Sequence, residues 1–585
     1  MIRTREPRED LARAHAGGAY AAVVLVTMSA TTSPSDLSVG SAPRERAGIA
    51  LPVALAESAT YAGHPIVQVH ETHASWVFLA GDYAYKVKKP VRMAFLDYST
   101  LSRRHAACRE EVRVNSELAP EMYLDVQAIV GTPNGYRFTI EEAPDAVEYA
   151  VRMRRFDEAQ TLLGAITARS LTRAQVRAVA SRLASFHDRA RIVEGGGPGE
   201  VLAAWQTNLD ELARLPAPRR LPLAQLRRFG EAFVASHASE LVRRARGGYV
   251  RDGHGDLRCE HVLLGGLGGE PVRVVDRIEF DPALRHVDVA CDLAFLAMDI
   301  EAHRRRWAAR ELVSAYRQAG GSPGSEELRC FYGARWALVR AKVSLLAAGT
   351  LSARRARAER QRAERLCELA QHMCWRARRP LVMVVCGVAA SGKSTLAAEL
   401  ARRSELPVVS SDAVRKRRAG LAPNERAAPE HYTREFTRAT YEQLSRDALT
   451  QLNRRGGVIV DASARRRSQR ALLLRRLDAR TATLLVVHCR VSPETALARA
   501  SARMHDRERV SDATPEIVSS QLHDFQALEE LSMDSVLELD GELSIEAQAD
   551  AVTRAVDERV VRAFPQAIGA FSRSPASAHA PSVKL

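Results

Sequence analysis

Leu381-Val-Met-Val-Val-Cys386-Gly387-Val-Ala-Ala-Ser391-Gly392-Lys393-Ser394-Thr395 decides the fold of the second half of this 585-residue chain. Leu381–Cys386 is an unbroken apolar run, as a parallel strand buried on both faces requires. Gly387 to Ser394 matches G-x-x-x-x-G-K-[ST], and the pattern predicts a helix over Thr395–Arg403. Strand, glycine-rich loop and helix N-terminus in that order build a cradle of backbone N–H groups for phosphate oxygens. Lys393 is expected at the β- and γ-phosphates of a nucleotide, with the Ser394 hydroxyl on Mg2+. Gly387, Ser391, Gly392 and Thr395 complete the predicted phosphate contacts.

Outward from this loop the pattern repeats. Pro407–Ser410 reads as a strand ending at Ser411-Asp412, and Val458–Val460 as another ending at Asp461. Thr483–Val487 and Ser535–Leu539 follow, with helices between, so the expectation is a right-handed parallel α/β sheet. Asp412 stands at a strand's carboxyl end, where acceptors lie in such sheets, as general base or acceptor-orienting carboxylate. Arg415 could grip an anionic acceptor, and Asp461 would hold Mg2+. Arg499 and Arg503 are four apart on one helix face, followed by Arg507 and Arg509, and suit a lid closing on the transferring phosphate.

GVAASGKST, SSDAVRKRR, VIVDAS and the arginine-rich segment resemble the gluconate-kinase and polynucleotide-kinase group of P-loop kinases, over about residues 380–545. The resemblance implies ATP-dependent phosphorylation of a hydroxyl without naming the acceptor. Ala390 stands where many relatives carry Gly, which the loop is expected to tolerate.

The first half centres on Asp252-Gly-His254-Gly-Asp256-Leu-Arg258-Cys-Glu-His261, a glycine-rich turn (Gly265–Gly269), the strand Val272–Val275 and Asp276. Two carboxylates bracketing a hairpin suit phosphoryl transfer: Asp256 as base and Asp276 as metal ligand. Upstream, Trp76–Leu79 and Tyr83–Lys88 read as a hairpin, and Lys86 and Lys88 share one face. The helix Leu101–Leu118 offers Glu111 as an ion-pair partner, with Glu110 the alternative about 100° round the axis. These segments resemble the two-lobed fold of aminoglycoside and choline kinases over about residues 50–350. The resemblance makes Lys86 the ATP anchor (Lys88 the alternative), Glu148–Met153 the hinge strand under the adenine, and Asp288 a structural acid. His261 takes the slot of a Mg2+-binding Asn, and Arg258 that of the loop's usual His. Imidazole is a poor Mg2+ ligand, so a one-metal site or an inactive pseudokinase stays open. The whole resembles bacterial fusions of such a kinase with a carboxy-terminal P-loop, AAA-type ATP-binding domain.

Composition bounds the remainder. Only 7 of the 85 basic Lys and Arg residues are Lys, and five of these lie in or next to the two expected phosphate sites: Lys86, Lys88, Lys89, Lys393 and Lys416. The net charge of +15 is read as arginine bias spread over helix surfaces in preference to a nucleic-acid footprint. At 5% aromatic residues a base-stacking platform is not expected. Eight scattered cysteines without CxxC pairs indicate neither zinc nor disulfides and fit a cytoplasmic protein. Tyr20–Ala30 is too short to span a bilayer. Lys342, in ALVRAKVSLLAA, is expected on an amphipathic helix with a surface or interlobe role.

The expected organisation is a flexible extension (1–48), the first kinase-like domain (49–350), a basic helical linker (351–379), the P-loop domain (380–560) and a disordered tail (561–585). The expected function is bifunctional ATP- and Mg2+-dependent phosphotransfer to small hydroxyl acceptors. The alternatives are a nucleic-acid-end kinase, a P-loop kinase governed by an amino-terminal pseudokinase, and an NTPase switch without an acceptor.

Overall fold

The computed structural model describes residues 30–32, 51–56, 61, 66–72, 74–93, 96–133, 135–216, 221–265, 271–477, 482–502 and 514–562. They fall into two compact units, one of residues up to 221 with 240–370, the other of residues 222–239 with 371 onward. The grouping of 222–239 with the second unit has no signal in the sequence. The expected extension and tail lie outside the described residues, except that Ala30–Thr32 pair antiparallel with Ile66–Glu71 as an edge strand and 561–562 end the last helix.

The first unit opens with a seven-stranded sheet. Its order is Ala30–Thr32, Ile66–Glu71, Ser75–Ala80, Tyr83–Lys88, Ala146–Arg154, Tyr123–Thr132, Gly135–Thr139, every pairing antiparallel. Alternation sorts its side chains: Phe78, Tyr85 and Val87 join one apolar cluster. Lys86 lies opposite Val77 and Val151, on the other face. Against that face packs the helix Leu101–Asn115, capped by Thr100, whose hydroxyl accepts Arg103 N–H. Cys108, Glu111 and Asn115 recur at helical spacing and are its buried stripe.

A helical part follows, with Arg173–Arg189, Val289–Ala302 and Arg306–Gln318 sharing a core of Leu183, Leu293, Leu312 and Tyr316, and Glu326–Ala348 packing on Val289–Ala302. Two short antiparallel pairs, Val250–Asp252 with His286–Asp288 and Val262–Leu263 with Arg273–Val274, bring Asp256 and Asp276 together. The expected glycine-rich turn lies mostly outside the described residues. Asp288 has the expected structural part: it caps the helix Val289–Ala302 and takes both ends of the Arg244 guanidinium at 2.7 Å. Lys342 departs from expectation. The helix Glu326–Ala348 is enclosed on nearly every side, and Lys342 is 1% exposed and paired with Glu211. Ala, Val and Leu around it on all faces explain why no clean amphipathic stripe exists.

The second unit is built on a five-stranded parallel sheet. Its order is Val408–Ser410, Gly457–Asp461, Leu381–Cys386, Thr483–Arg490, Val536–Asp540. Leu381–Cys386 is central and buried throughout, as its unbroken apolar run implies. Leu381, Met383 and Val385 face one core; Val382, Val384 and Cys386 face the other. The chain is thus a mixed α/β protein whose carboxy-terminal unit is a parallel-sheet domain with the phosphate-loop sequence after its central strand. All eight cysteines are buried and no two form a disulfide. No helix among the described residues is long and apolar enough to cross a membrane.

Candidate active sites

In the second unit the loop after Leu381–Cys386 needs unusual backbone. Gly387 has φ +138°, and a Cβ there would lie 2.5 Å from the Cys489 carbonyl oxygen. Gly392 has φ +92° and caps the helix Lys393–Ser404. Ala390, at φ +63°, is in the left-handed region despite its Cβ, so the loop tolerates Ala at a cost in strain.

Parallel pairing sets Asp461 opposite Val385, beside the root of the loop. There the Ser394 hydroxyl donates to Asp461 Oδ2 at 2.7 Å. Lys393 Nζ donates to Val388 O at 2.6 Å, curling back over its own loop. The Ser391 hydroxyl is fully buried without a hydrogen-bond partner. A polar cavity of about 150 Å³ adjoins Lys393, Ser394 and Asp461, lined also by Thr395, Asp412, Arg415, Tyr432, Arg465, Gln469 and Gln521. Asp412 enters it from the first turn of the helix Ser411–Arg418. Arg415 is held by His431 O at 2.6 Å and stacks 4.6 Å from the Tyr432 ring. Its Nε is buried and unpartnered.

Arg499 donates to Gly541 O at 3.0 Å and lies beside Gly392. Arg503, Arg507 and Arg509 lie outside the described residues. Lys416 corrects an expectation: it is buried, donates to Pro423 O at 2.9 Å and does not line the cavity. The sequence reading missed Arg465, Gln469 and Gln521. Gln521 accepts the Ala389 loop N–H at 2.8 Å, yet comes from the distant helix Pro515–His523. No local pattern marks such a residue.

In the first unit Glu111 bridges two lysines. Lys86 Nζ donates to Glu111 Oε1 at 2.7 Å and to Asp276 Oδ1 at 3.2 Å; Lys88 donates to Glu111 Oε2 and to Glu279. Burial alone would lower the Lys86 ammonium, but Glu111 and Asp276 outweigh it and hold it well above the ordinary lysine value. Burial likewise works against the Glu111 and Asp276 carboxylates, and their cationic neighbours overcome it, so both are held below the usual range. Glu110 points elsewhere, to Arg113 and Arg285. Lys89 pairs with Glu71 at 2.5 Å and lies over Trp76, away from the lysine–acid cluster.

A cavity of about 250 Å³ lies against Lys86 and Asp276, its walls including Val77, Leu79, Ala84, Met122, Tyr123, Met153 and Val275. The expected hinge strand is Ala146–Arg154 and contributes Met153. Lys86, not Lys88, lines this cavity.

Asp256 and His261 lie on the loop below. Asp256, His261 and Asp276 place ligand atoms within 4.8 Å of one another, a grouping that could hold a metal ion. Arg258 intervenes: it donates to Asp256 Oδ2 at 3.1 Å and to His261 Nε2 at 2.8 Å, and also pairs with Glu260. Receiving that bond makes His261 Nε2 the acceptor, so its Nδ1–H donates to Asp256 O at 2.7 Å. Asp256 Oδ1 is buried and unpartnered. Asp276 sits at φ +62°, a strained conformation that turns its carboxylate back toward Lys86. His254 and Asp292, missed in the sequence, fix the loop. Asp292 accepts the N–H groups of His254 and Gly255 at 2.7 and 3.1 Å, and His254 Nδ1 accepts Asp256 N–H at 3.2 Å.

Comparison with known proteins covers both halves unequally. A family model described as an AAA domain matches residues 382–528. The chain is 32% identical over 468 residues to the "Uncharacterized protein Rv2004c" of Mycobacterium tuberculosis (strain ATCC 25618 / H37Rv), spanning 78% of this chain and 89% of that one. The "Uncharacterized protein Mb2027c" of Mycobacterium bovis matches with the same identity and coverage. Among solved structures, a gluconokinase from Sinorhizobium meliloti 1021 covers 34% of this chain and 99% of its own, at 19% identity and TM-score 0.24. The Mycobacterium tuberculosis APS kinase CysC covers 31% and 98%, at 21% identity and TM-score 0.24.

Proposed function

This chain belongs to the family of the mycobacterial proteins Rv2004c and Mb2027c, and we propose that it is an ATP-dependent phosphotransferase with two nucleotide sites, one in each unit. The observation that carries the reading is the Ser394–Asp461 hydrogen bond at the root of the phosphate loop, facing a polar cavity that holds Lys393, Asp412 and Arg415. Two hard oxygens at 2.7 Å are a suitable donor pair for Mg2+, and the buried, unpartnered Ser391 hydroxyl fits a phosphate oxygen. Bound Mg·ATP would supply the electrophilic phosphoryl group. Lys393 and Arg499 would bear on its charge, and Asp412 would orient or deprotonate an acceptor hydroxyl. Arg415 would hold an anionic group of that acceptor, since its guanidinium faces the cavity on a rigid stack with Tyr432.

In the first unit the aminoglycoside-phosphotransferase-like reading assigns Lys86 to the nucleotide phosphates, Asp276 to the metal and Asp256 to the acceptor hydroxyl. The apolar cavity above Lys86 suits an adenine ring, and the unpartnered Asp256 Oδ1 is free to accept a hydroxyl proton. Small-molecule alcohols remain the proposed acceptors, with nucleic acid not favoured. A second reading of this unit rests on Arg258. Its guanidinium bonds two of the three groups that would hold a metal, so it stands in for a cation there, and the unit would sense nucleotide without transferring phosphate.

Calorimetry of Mg·ATP on the wild type and on Lys393→Ala tests the proposal. Two sites falling to one support it; one site falling to none removes the first unit as a nucleotide site. Arg258→Ala then separates the two readings of that unit: a gain in Mn2+ binding favours the stand-in cation.

A further inference from the structure

Gln521 reaches the phosphate loop of the second unit from a distant part of the chain. Its helix, Pro515–His523, starts at Thr514, whose hydroxyl accepts the Ile517 N–H. Two rows of side chains four apart sort the helix into faces. Val518 and Leu522 pack with Ala389, Ala390, Ala496 and Ala500, so the helix lies on the loop and on the helix Pro493–Ala502. The fully buried part of that cluster is four alanines and one valine, and little apolar area holds the helix down. Ile517 and Gln521 instead line the polar cavity, together with Ala389, Lys393 and Ser394.

The bond that Gln521 makes there is the bond a phosphate oxygen would make. Its Oε1 accepts the Ala389 N–H at 2.8 Å. A phosphate loop holds its ligand through such backbone N–H groups. An anionic oxygen brought to the same hydrogen meets the negative end of the amide dipole, and the charged acceptor makes the stronger bond. Lys393 shows which phosphate is concerned. A loop lysine serves the β- and γ-phosphates, and Lys393 Nζ lies 2.6 Å from Val388 O, the carbonyl of the peptide that carries the Ala389 N–H. Gln521 Oε1 therefore stands at the terminal-phosphate end of the loop.

We propose that Gln521 distinguishes nucleoside triphosphate from diphosphate at the P-loop: its amide oxygen takes the place of a γ-phosphate oxygen on Ala389 N–H, so that ATP displaces it and ADP leaves it in place. This rests on the reading of the second unit as a nucleotide site. ATP binding breaks the one side-chain bond that ties the helix Pro515–His523 to the loop N–H, and the diphosphate left after transfer lets that bond form again. The helix thereby follows the presence of the γ-phosphate.

Calorimetry of Mg·ATP and Mg·ADP on the full chain tests this, read at the site that Lys393→Ala removes. Gln521→Ala, which introduces a strong helix former, should tighten ATP by roughly two- to tenfold, the worth of one neutral hydrogen bond, and leave ADP unchanged. Gln521→Glu keeps the acceptor and adds a negative charge, and should weaken ATP more than ADP. ATP binding that Gln521→Ala leaves equal or weakens overturns the proposal, as do ATP and ADP shifting together, which would make Gln521 a support of the loop. If Gln521→Ala binds neither nucleotide, the Gln521→Glu arm decides: unequal loss supports the proposal and equal loss overturns it. If Lys393→Ala removes no site, the nucleotide reading of the second unit fails and the proposal falls with it.

Discussion

Ser394 Oγ and Asp461 Oδ2 are 2.7 Å apart although 67 residues separate them. The pairing of Leu381–Cys386 with Gly457–Asp461 makes that contact, because Val385 and Asp461 are in register. The serine follows the loop lysine and the aspartate ends the neighbouring strand.

Substituting Ser394→Ala should leave the unit folded, since one hydrogen bond is worth about 1 kcal/mol. It should remove most of the gain in ATP affinity that Mg2+ provides. Titrations of ATP in Mg2+ and in EDTA on both proteins check this; an undiminished Mg2+ effect would remove Ser394 from the metal.

Glu111→Gln should destabilise the first unit by about 3–5 kcal/mol, because two buried lysines lose the acid they share. The pH dependence has a definite sign. The Glu111 carboxyl is depressed by Lys86 and Lys88 against its burial, so its stability is present above the ordinary value of about 4.3 and lost as pH falls through the depressed one. The Lys86 ammonium is raised, so its contribution is present below about 10.4 and lost as pH rises through the raised value. Urea midpoints across pH should fall at both ends in the wild type and less steeply in Glu111→Gln.

His254 gives a separate window. Burial lowers its imidazole to about 4, so it is neutral when folded and would take a proton on unfolding. Stability should decline from about pH 6.5 toward 4 by up to about 3 kcal/mol, before the carboxylates act. In His254→Gln that decline should shrink, because His70 and His286, also lowered by burial, keep only their own smaller part of it; a wild-type curve flat between pH 6.5 and 4 would contradict the burial argument.

Ala390→Gly should raise stability of the second unit by roughly 0.5–1 kcal/mol, since glycine adopts φ +63° without Cβ strain, partly offset by a more flexible unfolded chain. Denaturant unfolding measures it, and a loss of stability would count against strain at that position.

What the sequence determined is the local chemistry of continuous segments. The apolar run Leu381–Cys386, the loop glycines, Lys393 and Ser394 were readable because a buried parallel strand and a phosphate loop each impose their pattern on consecutive residues. Alternation in Tyr83–Lys88 put Lys86 and Lys88 on one face, and helical spacing singled out Glu111 from Glu110. The tertiary structure alone decided the contacts made across chain distance. It chose Lys86 over Lys88 for the cavity, buried Lys342 against Glu211, turned Lys416 away from the phosphate loop, and brought Gln521 onto it. It also left Arg340 Nη1 buried without a hydrogen bond, a property no pattern encodes. Side-chain periodicity says which way a residue faces along its own element, while the partner it meets depends on how distant elements pack, and burial then sets the strength of the charge between them.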